Sequence, residues 1–292
     1  MAYVVDIYTF NNSKEYEYKF AGEYGGKNEK KRKWRKPTKE EEERRHQKEK
    51  ETRIRRLIKA NFQEKDLWCC LKYPEGTKVK PPDAKKDIQR FLRSLRTRYK
   101  RAGSELKFIY RMEVSSKGGV HFHIIVNRIW TEQTDVILQE CWSRALALSA
   151  YKERGHPVSA LGLVDFRPLY ESGSYEQLAE YITKKPKEDS EEYRQLSFFD
   201  DEDQKTLATV STSRNLIRPK PVRKKYQRWT VRKIVEDGVK PSPGYFIDKD
   251  SVMIGVNPFN GWTYIKYTEI RIKTRYGPEA ENACEYLPDD DG

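Results

Sequence analysis

Apolar and polar residues alternate along this chain with changing period, and each period predicts an element. Residues 3–20 read as a hairpin. VVDIYTF and EYEYKF are rich in strand formers and flank a turn at Asn11, Asn12 and Ser13. Polarity rises after Gly25 and Gly26. Thr38, followed by a glutamate run, marks the start of a helix over about 39–60. That helix is polar nearly all round, so it needs a partner surface or a nucleic acid.

Residues 66–187 carry the strongest globular pattern. LWCCLKY (67–73) suits a buried strand. Asp83 is placed to cap a helix whose apolar positions Ile88, Phe91, Leu92, Leu95 and Tyr99 recur at helical spacing, with Gly103 just past its end. LKFIYRMEV and VHFHIIVNR are two strands joined by the turn-rich Ser115-Ser116-Lys117-Gly118-Gly119. A helix over about 131–148, a strand at 162–170 and a short helix opened by Ser172 or Ser174 follow. Strand, helix, hairpin, helix, strand, helix describes an α+β fold, one mostly antiparallel sheet with helices packed on it. Beyond Pro221 a basic helix (about 226–237) leads to KPSPGYFID, SVMIGVN and WTYIKYTEI, which read as strands, and then to an acidic tail expected to be disordered.

Composition sharpens this picture. Of 292 residues only 36% are hydrophobic against 35% charged, too polar for one fully packed globule, so a core with charged appendages is expected. The net charge is +13 and is unevenly spread. Residues 27–59 hold 16 Lys/Arg against 7 Asp/Glu, residues 188–203 hold 8 acids and one base, and residues 214–233 hold 9 bases and no acid. The divisions drawn from this are 1–61 (hairpin and charged helix), 62–187 (core), 188–222 (charged linker) and 223–292 (basic helix and small β region). A basic chain with 12% aromatics points to nucleic acid, through counterion release and base stacking. No apolar run approaches the ~18 residues of a membrane span, and MAYVVDIYTF lacks the plan of a signal peptide. Four cysteines, two of them adjacent, form neither a disulfide framework nor a CxxC pair. The expectation is a reduced cytoplasmic compartment with no membrane partner.

Two of the four histidines, His121 and His123, are two apart on a strand and so share a face. The hairpin register brings Glu113 opposite them. A single strand histidine is more often a hydrogen-bonded core residue. A pair faced by a carboxylate instead makes an open three-ligand site for a divalent ion, Mn2+ or Mg2+, able to stabilise charge in phosphodiester displacement. The other candidate is Tyr181, on the border of a helical face made by Tyr175, Leu178, Ala179 and Ile182. Lys184 and Lys185 flank it at i+3 and i+4. A phenol titrates near pH ~10, so attack at neutral pH needs the help of ammonium groups and a metal. Pro186 disfavours a helical Lys185, which makes Lys184 the preferred lysine.

These residues carry a resemblance. GVHFHIIVNR is similar to the His-hydrophobic-His motif of HUH endonucleases, and AEYITKKP to the YxxK nucleophile motif that follows it in their replication initiators. LWCCLKY sits where those proteins have their first strand motif, although it matches poorly by letters. STSRNLIRPKP resembles a segment of small bacterial plasmid and phage rolling-circle replication proteins. The resemblance covers about residues 62–222. It implies a sheet of about five antiparallel strands with RNA-recognition-like topology, plus a basic N-terminal and a small β-rich C-terminal appendage. It further implies an enzyme, a single-tyrosine nickase and strand-transferase. Its tyrosine forms a 5′-phosphotyrosine and frees a 3′-hydroxyl, starting rolling-circle replication in the bacterial cytoplasm. The implied partners are single-stranded origin DNA, duplex origin DNA, a host polymerase and, because no GxxxxGK[ST] is present, a host helicase. The basic residues expected at DNA are Arg111, Lys117, Arg128, Arg214, Lys224 and Lys225. Relaxases and single-strand transposases share the chemistry. A non-catalytic nucleic-acid binder, or a metal nuclease that uses water, would leave no protein–DNA adduct.

Overall fold

The computed structural model describes residues 3–21, 36–75, 77, 79–115, 119–149, 163–170, 175–184, 204, 207, 209–259 and 261–272. In chain order these form β1 (Tyr3–Thr9), β2 (Ser13–Phe20), α1 (Lys39–Asn61), β3 (Leu67–Lys72) and α2 (Pro81–Arg101). There follow β4 (Phe108–Val114), β5 (Val120–Val126), α3 (Thr134–Ala147), β6 (Val164–Pro168) and α4 (Glu176–Thr183). The chain continues through β7 (Val210–Thr212), β8 (Val222–Tyr226), α5 (Arg228–Asp237), β9 (Tyr245–Val256) and β10 (Thr263–Arg271). The fold is α+β, with two five-stranded sheets in which every described pairing is antiparallel.

The chain divides into two units, Lys39–Arg218 and a discontinuous one made of Met1–Thr38 with Pro219–Gly292. This differs from the four-part division read from charge. The charged helix belongs with the core, and the N-terminal hairpin belongs with the C-terminal strands. Charge runs mark solvated surface, whereas strand pairing joins segments far apart in sequence.

In the first unit the order β6-β3-β5-β4-β7 arises from a strand–helix–hairpin–helix–strand path, the split βαβ arrangement, extended by the short β7. Because side chains alternate across a strand, the sheet has two distinct faces. One face carries Leu67, Cys69, Leu71, Met112, Phe122, Ile124 and Val164 and is buried under α2 and α3. The five residues that predicted α2 (Ile88, Phe91, Leu92, Leu95 and Tyr99) are all buried there. They meet Ile137, Leu138, Cys141 and Trp142 of α3. Burying a side chain such as Phe91 or Leu95 contributes roughly 1.5–3 kcal/mol. Gly103, at φ +68, turns the chain after α2 as expected, while Asp83 lies inside the first turn, paired with Lys86, and Pro81 opens the helix.

The opposite face carries Trp68, Ile109 and Ile125 and meets α1 and α4. Ile54, Leu57 and Ile58 at the end of α1 are buried in this layer. The helix that reads as polar all round is therefore amphipathic only in its last two turns, and the sheet is its partner. The two helices are also joined by Gln47 of α1, which donates to the Thr183 carbonyl at the end of α4 at 3.1 Å.

The second unit has strand order β8-β1-β2-β10-β9. One face collects Tyr3, Val5, Tyr18, Ile265 and Tyr267 around Val231 of α5. The two strands expected at 244–257 are one long strand, β9, and Val222–Tyr226, read as part of a basic segment, is a strand against β1. The acidic run, most of the first basic run and the acidic tail lie outside the described residues.

Candidate metal and nucleophile site

The register of the central sheet fixes the site. Glu113 pairs with His121 and Arg111 with His123 across β4 and β5. Cys70 pairs with His123, Lys72 with His121 and Trp68 with Ile125 across β3 and β5. All of these point to the face that meets α4. His121 Nε2 and His123 Nε2 lie 3.0 Å apart. Glu113 Oε2 is 3.0 Å from His123 Nε2 and 3.5 Å from His121 Nε2. Adjacent ligands of an octahedral ion with bonds of ~2.1 Å are separated by about 3 Å, so these three donors outline one face of such a shell. His123 Nδ1 is buried with no hydrogen-bond partner among the described residues, so the Nε2 side makes its polar contacts.

Burial works against a charged Glu113, but hydrogen bonds from both histidines and the Arg111 charge outweigh it and hold the carboxyl well below the usual carboxylate range. The carboxylate is therefore ready as an anionic ligand.

α4 brings the phenol. Tyr181 Oη lies 3.0 Å from His123 Nε2 and donates to Glu113 Oε2 at 3.5 Å. Its ring meets His123 and Trp68 edge-on, with centroids 4.9 and 5.5 Å apart. Ala179 and Ile182 of α4 are buried against the sheet, which leaves Tyr181 at the helix border and 38% exposed, open to an incoming substrate.

Arg111 is not a surface contact. It is 4% exposed, donates to the Ile182 carbonyl at 3.2 Å and to the Lys184 carbonyl, and sits 3.5 Å from Glu113 Oε1. It thus caps the C-terminal end of the helix that carries Tyr181, where cations are favoured, and its position in the buried layer corrects the expectation that it meets DNA. Lys184 also departs from the reading of the sequence. α4 ends at Thr183, and Lys184 is the first residue beyond it, extended and exposed. Arg128 lies five residues past His123, at the other end of β5, where its guanidinium donates to the Lys65 carbonyl at 3.0 Å. Arg214 is exposed beyond β7, next to the start of β4. Lys224 and Lys225 are exposed on β8 of the other unit. Lys117 and Lys185 lie outside the described residues.

Two residues at the site were not anticipated. Cys70 Sγ falls with one nitrogen from each of His121 and His123 in a group whose atoms all lie within 4.8 Å of one another, and burial pushes its thiol up to about 11. Trp68 flanks Tyr181 on the same strand as Cys70. The alternation of LWCCLK already puts Trp68, Cys70 and Lys72 on one face. Only the pairing of β3 with β5 says which face that is.

The fold and site thus define a class: a split-βαβ sheet domain with a histidine pair and glutamate on its central strands and a tyrosine supplied by a covering helix. Residues 66–186 match the replication-associated protein family of the ORF2 type, which supports a rolling-circle replication initiator. The matched segment runs from just before β3 to just beyond α4. Searches of curated proteins and of solved structures found no match. Among the described residues no helix is long and apolar enough to cross a membrane.

Proposed function

We propose that the protein nicks and rejoins one strand of DNA at a replication origin by transesterification through Tyr181. The observation that carries this reading is the Tyr181 hydroxyl, 3.0 Å from His123 Nε2 and 3.5 Å from Glu113 Oε2, at the group of donors suited to a divalent ion. The phenolic oxygen attacks the scissile phosphorus and the bond to the 3′-oxygen breaks. The products are a 5′-phosphotyrosine and a free 3′-hydroxyl. The proton lost by the phenol is balanced by the one gained at the 3′-oxygen. The phosphotyrosine is itself a phosphodiester, so rejoining is the same exchange in reverse.

Glu113, His121 and His123 would hold Mn2+ or Mg2+, which supplies a Lewis acid for the phosphodiester oxygen. Arg111 keeps the end of α4, and with it Tyr181, against the sheet. Lys184, exposed just past α4, and Lys185 add positive charge beside the bound phosphate. The match to the replication-associated family supports the role in replication initiation, in which the freed 3′-hydroxyl primes a host polymerase while a host helicase opens the duplex.

The test is covalent capture. The protein is incubated with Mn2+ and labelled single-stranded oligonucleotides from its own replicon, then run on a denaturing gel. A shifted protein–DNA band is expected, lost in Tyr181→Phe while DNA binding is retained. Cleavage without a shifted band would mean a water nucleophile. Adduct surviving in Tyr181→Phe would move the nucleophile to another phenol.

A further inference from the structure

The site offers a fourth donor that nicking does not use. Cys70 stands beside His123 on the neighbouring strand, and its sulfur and the two imidazoles lie within 4.8 Å of one another, with Glu113 Oε2 against both imidazoles. We propose that Cys70, His121, His123 and Glu113 form a second, closed coordination set for Zn2+, which occupies the same place as the nicking metal and excludes it. This rests on the metal reading above and adds a regulator to it.

The argument is one of ligand type, charge and coordination number. Mg2+ and Mn2+ favour oxygen and imidazole and have little use for sulfur, whereas Zn2+ takes thiolate readily. With Glu113 as the only anionic ligand, a divalent ion keeps one positive charge, which a substrate phosphodiester neutralises. When Zn2+ binds, the Cys70 S–H proton is released to water and a Zn–S bond forms. Two anionic ligands then neutralise the ion, with no charge left to attract a phosphate. A tetrahedral ion with Zn–S of about 2.3 Å and Zn–N of about 2.0–2.1 Å sets S···N at about 3.5 Å, so the side chains close in by about an ångström. Four protein ligands leave no open position, as in structural rather than catalytic zinc sites. Cys69 points to the other face, into the core under α2 and α3, and takes no part.

The experiment uses the full chain, reduced and freed of metal. Titration with Co2+, a spectroscopic substitute for Zn2+, is expected to give a thiolate-to-cobalt charge-transfer band in the near ultraviolet. Zn2+ should displace that band, and Cys70→Ser should lose it. In the unsubstituted protein, Zn2+ should slow alkylation of Cys70, mapped by mass spectrometry, at least about tenfold, while Mn2+ should not. The alkylation measurement does not depend on how well the variant folds. Cobalt bound without the sulfur band, or Cys70 alkylated equally fast with and without Zn2+, overturns the zinc set and leaves the three-ligand site standing. Failure of the protein to bind Co2+, Zn2+ or Mn2+ overturns both.

Discussion

At the scale of single residues, the site depends on groups whose contacts differ from what their type suggests. Arg111 is the clearest case. In a basic chain an arginine between Tyr110 and Met112 on a strand beside the site reads as a phosphate contact. Strand alternation turns it instead into the buried layer with Glu113, where it serves two helix carbonyls and one carboxylate. Arg111→Met keeps the stem but removes the charge, which leaves Glu113 without its buried cation. Breaking a buried pair in this way costs roughly 3–5 kcal/mol. Denaturant unfolding should show a loss of that order. Adduct formation by the remaining folded protein should fall more than its affinity for single-stranded DNA, because the end of α4 is no longer held. If affinity and adduct fell equally, Arg111 would be a DNA contact after all. The same limit applies to Cys70: its chemistry is visible in the letters, but its neighbours are set by a strand more than fifty residues away.

At the scale of elements, periodicity was a reliable guide where one face of a helix or strand meets one packed layer. All five apolar positions that predicted α2 are buried, and the hairpin of β4 and β5 has the pairing its turn implied. It served less well for short or charged elements. β7 has three residues, and β8 is a run of basic residues whose strand conformation comes from pairing with β1. That pairing leaves a titratable mark. Asp6 on β1 is 1% exposed, takes a two-pronged hydrogen bond from Arg223 of β8 at 2.6 and 2.9 Å, and pairs with Lys19 of β2 at 2.5 Å. The Arg223 bond, joined by Lys19 and opposed by burial, brings its pKa down from an ordinary 3.8 to about 2. A carboxylate depressed in the folded state contributes stability that is complete above pH ~4 and is lost as the pH falls toward 2. Thermal melting of the full chain should therefore lose stability across that window, and Asp6→Asn should be less stable at neutral pH with a flatter loss below pH 4. An unchanged acid limb in Asp6→Asn would show that the bridge between β1 and β8 adds nothing.

At the scale of the whole molecule, the net charge of +13 is the property most directly tied to DNA. Each lysine on a phosphate releases about one counterion, so binding should weaken steeply with salt. If Lys224 and Lys225 of β8 both meet phosphates, replacing both with alanine should reduce the slope of log K against log salt by about 2, uniformly across sequences. A slope unchanged by that double substitution would remove the second unit's basic edge from the DNA contact. By itself, the sequence determined the α+β class, the shared face of His121 and His123, the opposing Glu113 and the candidacy of Tyr181. Each of these follows from local periodicity or from a hairpin whose turn sets its own register. The tertiary structure alone decided that Tyr181 lies over the histidines, that Arg111 is buried and that Cys70 joins the site. It also decided that the N-terminal hairpin and the C-terminal strands make one sheet. Those features depend on pairing and packing between segments far apart in the chain, where burial of apolar faces rather than any local preference selects the partner.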